Sequence, residues 1–373
     1  MAAVGGVALG GAAWITGWVE LAVPAGVLLG ALATAALMAV GRSAFRTELV
    51  VADRRVEVGE RAMGELTVAN PTRRRLLPAR MIVPVGAGRL EFDVGSLAPG
   101  ARFHDVFAIP TDRRAVVQVG PMRSSRGDPL GLVDRSVHWS QSAALHVHPR
   151  VIPLTGSAAG VLRDIEGQAT RQLSDSDISF HALREYVPGD DRRNIHWKSS
   201  AKLGNLMVRQ FEDTRRVHLA LALAVAGAEY ADDADFELAV AVLASLGVQW
   251  LRDKREVTAL AGAATLGSAH HRDLLDSVCA IQSGPAAAGS ADMARRVARE
   301  VPTATLTVLV TGDAASREQL RAAARHLPVG SRVLALRCRV GLAPQIRVSA
   351  GITQAQVGVL EDLPGILRRA VPR

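Results

Sequence analysis

From Ala2 to Val40 the chain is apolar almost without interruption, and Glu20 is its only ionisable side chain. A hydrocarbon core about 30 Å thick needs roughly 20 apolar residues of helix to cross it, so this stretch is long enough to cross twice. It reads as two short spans, Ala2 to Trp18 and Leu21 to Val40, joined by a tight turn, with Trp14 and Trp18 at interfacial depth and Pro24 near the start of the second span. Residues 1–42 are therefore expected to form a two-helix transmembrane hairpin in the lipid bilayer. A secretory signal would need a basic leading segment, and no Lys or Arg precedes Arg42. Arg42 and Arg46 follow the second span at once, and the cytoplasmic preference of basic flanks places that end inside. The expected location is the cell membrane, multi-pass, with the soluble domains in the cytoplasm. Small residues four apart, Gly6/Gly10 and Gly26/Gly30, allow close helix approach and a homo-oligomer.

The pattern changes at Arg46. Up to about Arg150 short period-2 runs, such as Glu48-Leu49-Val50-Val51 and Glu65-Leu66-Thr67-Val68, are separated by turn residues such as Asn70-Pro71 and Pro99-Gly100. Closely spaced strands without a helical pattern predict a small antiparallel β-sandwich over 46–150. Its closing part contains Arg126-Gly127-Asp128, but Asp128-Pro129 is better explained as a turn than as an adhesion motif.

Beyond Arg216 strands and helices alternate. Val217 to Val225 suits a buried strand. Phe236 to Arg252 follows as a helix with Phe236, Val240, Leu243, Gly247 and Trp250 on one face, and Asp232, Asp233 and Asp235 at its start. Further strands are expected at Val257–Ala261, Ala304–Val310 and Ser331–Leu336, and helices at Arg272–Ile281, Ala291–Glu300, Arg317–His326 and near Glu361–Arg369. Such alternation predicts a parallel sheet with helices on both faces over 217–373. Ligand sites of these sheets lie at the carboxyl ends of the strands.

The formal net charge is +8, which favours acidic partners without choosing among them. Cys279 and Cys338 are the only cysteines. That excludes a disulfide framework and a zinc module, and a reducing compartment is the easier reading. Between His181 and Arg216 there are eight Lys/Arg and five Asp/Glu, a mixture suited to interlocking ion pairs rather than to a stripe that tracks phosphates, so no nucleic-acid partner is expected.

The segment 151–216 connects sandwich and sheet, and its densest part runs from Ser179 to Glu212. It contains Phe180-His181-Ala182-Leu183-Arg184-Glu185-Tyr186-Val187-Pro188-Gly189-Asp190, then Arg193-Asn194-Ile195-His196-Trp197, then Ser200-Ala201-Lys202-Leu203-Gly204-Asn205-Leu206-Met207-Val208-Arg209-Gln210-Phe211-Glu212. These residues closely resemble the signature of the bacterial domain-of-unknown-function 58 family. The resemblance extends to the apolar hairpin, to the Arg126-Gly127-Asp128-Pro129-Leu130-Gly131-Leu132 end of the sandwich and to the α/β domain, and it implies a von Willebrand factor type A-like fold there. It also implies a partner class, the MoxR-type AAA+ ATPases, in envelope-related assembly.

Taken from its residues alone, Pro188-Gly189 fits the centre of a type II turn, and Asp190 or Asp191 can cap a short helix that ends at Gly204. One reading makes the segment a structural clasp, in which Arg184, Arg193 and Arg209 pair with Glu185, Asp190, Asp191 or Glu212 while Trp197 fills a gap between domains. The other makes Arg184, Glu185, Asp190, Asp191, Arg193, His196, Trp197 and Arg209 a protein-docking surface. A third use, general acid–base chemistry by His181 and His196, lacks an accompanying nucleophile motif, P-loop or paired carboxylates. Metal-binding type A domains carry Asp-x-Ser-x-Ser after the first strand, whereas the matching stretch here is Leu223-Ala224-Val225-Ala226-Gly227. Thr311-Gly312-Asp313 resembles a later element of such sites, with capping of the helix near Arg317 as its plainer role. No metal and no cofactor are therefore expected. The expectation overall is a membrane-anchored, non-enzymatic scaffold that presents a cytoplasmic protein-binding domain. A membrane-bound hydrolase using the His181/His196 region is the alternative, and binding of the basic surface to anionic lipid is a third possibility.

Overall fold

The computed structural model describes residues 2–39, 44–127, 134–139, 142–154, 156, 173–174, 179–212, 217–349 and 351–370. Arg42 and the Asp128–Leu132 stretch lie outside them. The chain divides into two compact units, Met1–His148 and Pro149–Arg373.

The first unit opens with helices α1 (Ala2–Thr16) and α2 (Val19–Ala39). They pack closely because α1 presents glycines: a Cβ on Gly6 would lie 3.1 Å from Leu29 Cδ2, and one on Gly10 would lie 3.9 Å from the Ala25 Cβ. Gly26 and Gly30 have nothing within 4 Å. The outer surfaces of the pair are apolar and exposed, Val7, Trp14, Ile15, Val23 and Val27 among them. At 15 residues α1 is about 22 Å long, while the 21 residues of α2 reach about 31 Å.

Ten strands follow: β1 (Arg46–Val51), β2 (Arg55–Glu57), β3 (Ala62–Ala69), β4 (Ala79–Val85), β5 (Gly88–Val94), β6 (Arg102–Ile109), β7 (Ala115–Val119), β8 (Arg123–Gly127), β9 (Asp134–His138) and β10 (Ala143–His148). One sheet has the order β1-β3-β6 and the other β2-β10-β7-β4-β8-β9, with β5 also paired to β4. Alternation along β3 buries Ala62, Gly64, Leu66 and Val68. The apolar side chains among them share a core with Phe107 and Ile109 of β6 and with Met81, Val83, Val119, Leu145 and Val147 of the larger sheet. All pairings among the described residues are antiparallel except β2 with β10, where a three-residue edge strand runs parallel to its neighbour.

In the second unit β11 (Leu173–Ser174), β12 (Ser179–Glu185), helix α3 (Trp197–Leu203) and β13 (Met207–Glu212) include a small sheet of order β11-β13-β12. Then come β14 (His218–Leu223), α4 (Asp233–Arg252), β15 (Glu256–Ala261), β16 (Ala264–Leu266), α5 (His271–Val278), α6 (Ser290–Glu300), β17 (Leu306–Gly312), α7 (Arg317–Ala324), β18 (Arg332–Cys338), β19 (Ile346–Ser349), β20 (Ile352–Val357) and α8 (Leu363–Ala370). Their sheet has the order β16-β15-β14-β17-β18-β20-β19, with β15, β14, β17, β18 and β20 mutually parallel and β16 and β19 antiparallel at the two edges. Leu219, Ala220, Leu221, Ala222 and Leu223 are all buried, because α4 and α8 cover one face while α6 and α7 cover the other. Helix α4 is long and apolar enough to cross a bilayer, yet it is a core element whose Trp250 is 0% exposed. Asp232 accepts from the Asp235 N–H at 2.9 Å and caps α4. Asp235, by contrast, is buried and accepts from the Val340 N–H at 2.8 Å, so it ties the helix to the segment that follows β18.

Candidate functional site

The signature residues fold into a hairpin with a structured tip. Strands β12 and β13 pair antiparallel from Glu185 with Met207 back to Ser179 with Glu212, and His181 sits at a bulge in β12. At the tip the Asp190 N–H donates to the Val187 carbonyl at 3.0 Å across Pro188-Gly189, and Gly189 takes a φ of +116°, which favours glycine. The Arg184 guanidinium grips the Asp190 carboxylate with two hydrogen bonds, 2.7 Å to Oδ2 and 2.6 Å to Oδ1, and Oδ2 also accepts from the Val187 N–H at 2.8 Å. Such a fork fixes the turn in one geometry.

The Arg184 hydrogen bonds, followed by that of Val187, hold the Asp190 carboxyl below the usual carboxylate range. A depressed carboxyl stabilises the fold above its unfolded value of about 4, and that contribution is lost as pH falls through the folded value. Amide protection at Val187 is accordingly expected to hold at neutral pH and to collapse in acid, while Asp190→Asn leaves protection low at every pH. Hydrogen exchange across a pH series reads both; acid-independent protection in the native chain would exclude the ion pair as the turn's lock.

The remaining candidates do other work. Glu185 accepts from the Asn205 amide at 3.1 Å. Asp191 caps a three-residue 3₁₀ turn by accepting from the Arg193 N–H at 2.9 Å. Helix α3 is capped not by either aspartate but by His196, whose Nδ1 accepts from the Ser199 N–H at 3.2 Å and lies 2.8 Å from the Ser199 Oγ. Gly204, in the left-handed region at φ +79°, ends that helix. The Ser200 Oγ accepts from the Met207 N–H at 2.8 Å and joins helix to strand. Arg193 and Arg209 are exposed and enter no ion pair among the described residues. Trp197 is 66% exposed, and Val187, Leu203 and Leu206 are exposed on the same hairpin.

The second place where chemistry is expected is the carboxyl end of the sheet, at the crevice where strand order reverses between β14 and β17. Its own chain fills it. The loop at 284–289 is laced onto the end of β14: the Val225 N–H donates to the Ala288 carbonyl, the Gly227 N–H to that of Gly284, and the Gly284 N–H to that of Val225. Glu229 stands in the 3₁₀ turn Gly227–Glu229 that follows β14. Its Oε1 accepts from the Ser290 N–H at 2.7 Å and from the Ser290 Oγ at 3.0 Å, and its Oε2 accepts from the Thr311 hydroxyl. Asp313 is paired to Arg337 at 3.0 Å instead of capping α7; the cap is Ser316, in a reciprocal pair with Gln319. Among the described residues no group of three His, Cys, Asp or Glu could hold a metal ion.

Sequence reasoning passed over Glu229, which lies two residues beyond the stretch compared with the metal-site pattern. Its partners Ser290 and Thr311 are 61 and 82 residues away in the chain.

Similarities to known proteins are partial. A CARDB domain from Pyrococcus furiosus aligns at 15% identity over 28% of this chain and 89% of its own, with a TM-score of 0.21. The sporulation control protein Spo0M of Bacillus subtilis aligns at 15% over 39% and 58%, with a TM-score of 0.18. Neither score is high enough to inform the fold. The Bacillus subtilis (strain 168) protein YeaD, itself described as uncharacterized, is 28% identical over 127 residues, which are 34% of this chain and 30% of that protein. Residues 182–339, from the signature hairpin to just past β18, match the family described as protein of unknown function DUF58.

Proposed function

We propose that the chain is a membrane-anchored, non-enzymatic scaffold whose signature hairpin docks a protein partner, with a MoxR-type AAA+ ATPase as the partner class suggested by the family resemblance. The single observation that carries this reading is Trp197, held two-thirds exposed at the start of a capped helix on a hairpin whose turn is locked by Arg184 and Asp190. A rigidly presented tryptophan supplies the large, low-entropy contact area typical of binding hot spots. The exposed apolar hairpin α1–α2 supports the anchoring part, and Arg42 and Arg46 support a cytoplasmic orientation. The α/β unit is read as von Willebrand factor type A-like on its strand order, with an antiparallel strand at the edge beside β15. Its crevice, occupied by Glu229, Ser290 and Thr311, fits a surface that recognises proteins without a bridging cation.

Trp197→Ala is expected to lower recovery of a tagged ATPase from native membranes about tenfold or more without moving the melting temperature. Because Arg184 builds the turn, Arg184→Glu should lose both capture and amide protection of the hairpin. Undiminished capture by Trp197→Ala would remove the hairpin from the interface. The Ser199 hydroxyl beside His196 Nδ1 favours the hydrolase as a second reading. It requires that His196→Ala abolish a turnover activity; loss of only a helix cap, about 1 kcal/mol, is the scaffold's expectation.

A further inference from the structure

Beside α7 the sheet leaves a polar patch on the face where α6 and α7 pack. Strand register sets it out: Arg347 of β19 is paired with Gln354 of β20, Gln354 with Ala335 of β18, and Gln356 with Arg337. Positions opposite one another across paired strands, and those two apart along a strand, share a face, so Arg347, Gln354, Gln356 and Arg337 share one. Ala335 and Ile352 of that face are covered by Leu320 and Ala323 of α7, and Arg317 stands in the first turn of the same helix. Arg317, Arg337, Arg347, Gln354 and Gln356, with Gln345 and Ala355, line a cavity of about 20 Å³ that opens to solvent. That is enough for one water-sized group in its depth.

Two features of the lining call for an acceptor. The Gln354 side-chain amide is buried, with the residue only 7% exposed, and its Nε2 has no hydrogen-bond partner among the described residues; the same holds for the buried Nε of Arg337. An unsatisfied buried donor is costly and uncommon. Charge points the same way. Arg317, Arg337 and Arg347 bring three guanidiniums, and the one carboxylate in contact among the described residues is Asp313, already held by Arg337 at 3.0 Å and by the Gln356 amide at 3.4 Å. Three positive charges against one negative leave two.

We propose that Arg317, Arg337 and Arg347, with the carboxamides of Gln345, Gln354 and Gln356, form a binding pocket for a phosphate group. Dianionic phosphate neutralises the two excess charges, which a carboxylate would only halve. One phosphate oxygen enters the cavity to accept from Gln354 Nε2 and Arg337 Nε, while the oxygens at the mouth meet Arg317 and Arg347, whose planar forks suit tetrahedral oxyanions. The open mouth admits either free phosphate or the phosphate end of a larger molecule. The site is independent of the docking hairpin.

The test is calorimetric titration of the full chain in neutral detergent with inorganic phosphate, glycerol 3-phosphate and acetate. Saturable phosphate binding tighter than about 1 mM is expected, weakened about tenfold or more in Arg347→Gln and lost in the Arg317→Gln/Arg347→Gln double variant. Both arginines are exposed, so the fold survives these changes. Gln354→Leu should raise the melting temperature without phosphate, by removing the unpaired donor, and abolish the upward shift that phosphate gives. A preference between the two phosphates assigns the source. Failure of both to saturate, acetate binding as tightly as phosphate, or an unchanged affinity in the double variant would overturn the proposal.

Discussion

Truncating Trp250 to alanine is expected to destabilise the α/β unit by about 3–5 kcal/mol, among the largest effects of any single side chain in it. Trp250 is 0% exposed and belongs to the core that also holds Leu219, Leu221, Leu243 and Leu246. Nothing near it can flow into the space left behind. The strand backbones are fixed by parallel pairing on both sides of β14, and segment 151–154 is bound to the same helix through the Ile152 N–H to Ser245 Oγ, 3.2 Å, and the Leu154 N–H to Gln249 Oε1, 3.3 Å. The indole N–H is nevertheless without a hydrogen-bond partner among the described residues. Trp250→Phe loses volume but also removes that buried donor, whose desolvation costs about 1–3 kcal/mol, so the two effects largely offset. Urea unfolding of the full chain in detergent, followed by far-ultraviolet circular dichroism, should place the phenylalanine variant within about 1 kcal/mol of the native chain and the alanine variant far below it. Similar losses for the two would mean that the indole nitrogen is satisfied in solution.

The same packing explains which elements the sequence reveals. Strand β14 is buried on both faces, so it appears as an apolar run interrupted only by His218 at its start, and α4 is marked by its acidic start as well as by its apolar face. Strand β20 carries the opposite kind of pattern. Its run Ile352-Thr353-Gln354-Ala355-Gln356-Val357 places Gln354 and Gln356 on a face that propensity alone would send to solvent. Only pairing with β18 and β19 makes it a strand. In the signature hairpin the turn is legible because Pro188-Gly189 admits few conformations. The cap of α3 is not, because histidine is a rare N-cap and two aspartates stand nearby. Trp197 misleads for a related reason: tryptophan is on average well buried, whereas here it stands 66% exposed at the start of α3. The cluster of Glu229, Ser290 and Thr311 is invisible to local pattern because a 3₁₀ turn, the start of α6 and the end of β17 meet to form it.

Whether that cluster seals the crevice or merely lines it is decided by Gly312. A Cβ there would overlap the Glu229 carbonyl oxygen and lie 2.7 Å from Tyr230 Cδ1. Neither neighbour is free to retreat. The Glu229 carbonyl accepts from the Ala314 N–H at 3.1 Å, its carboxylate is held by Ser290 and Thr311, and the Tyr230 hydroxyl donates to the Ala224 carbonyl at 2.5 Å. Gly312→Ala is therefore expected to cost about 3 kcal/mol or more, at the upper end of what overpacking imposes. Gly330→Ala is the matched control. It sits at φ +84° with nothing within 4 Å, so only backbone strain of about 1–2 kcal/mol opposes it. Thermal melts of the two variants in detergent separate the cases. If Gly312→Ala proves as mild as Gly330→Ala, the 3₁₀ turn at Gly227–Glu229 can swing away, the crevice can open, and the Glu229 carboxylate becomes available to a ligand at the switch point of the sheet. A large loss instead means that Glu229 is occupied in holding its own turn, the start of α6 and the end of β17 together, and that any partner must meet this unit on its outer surface.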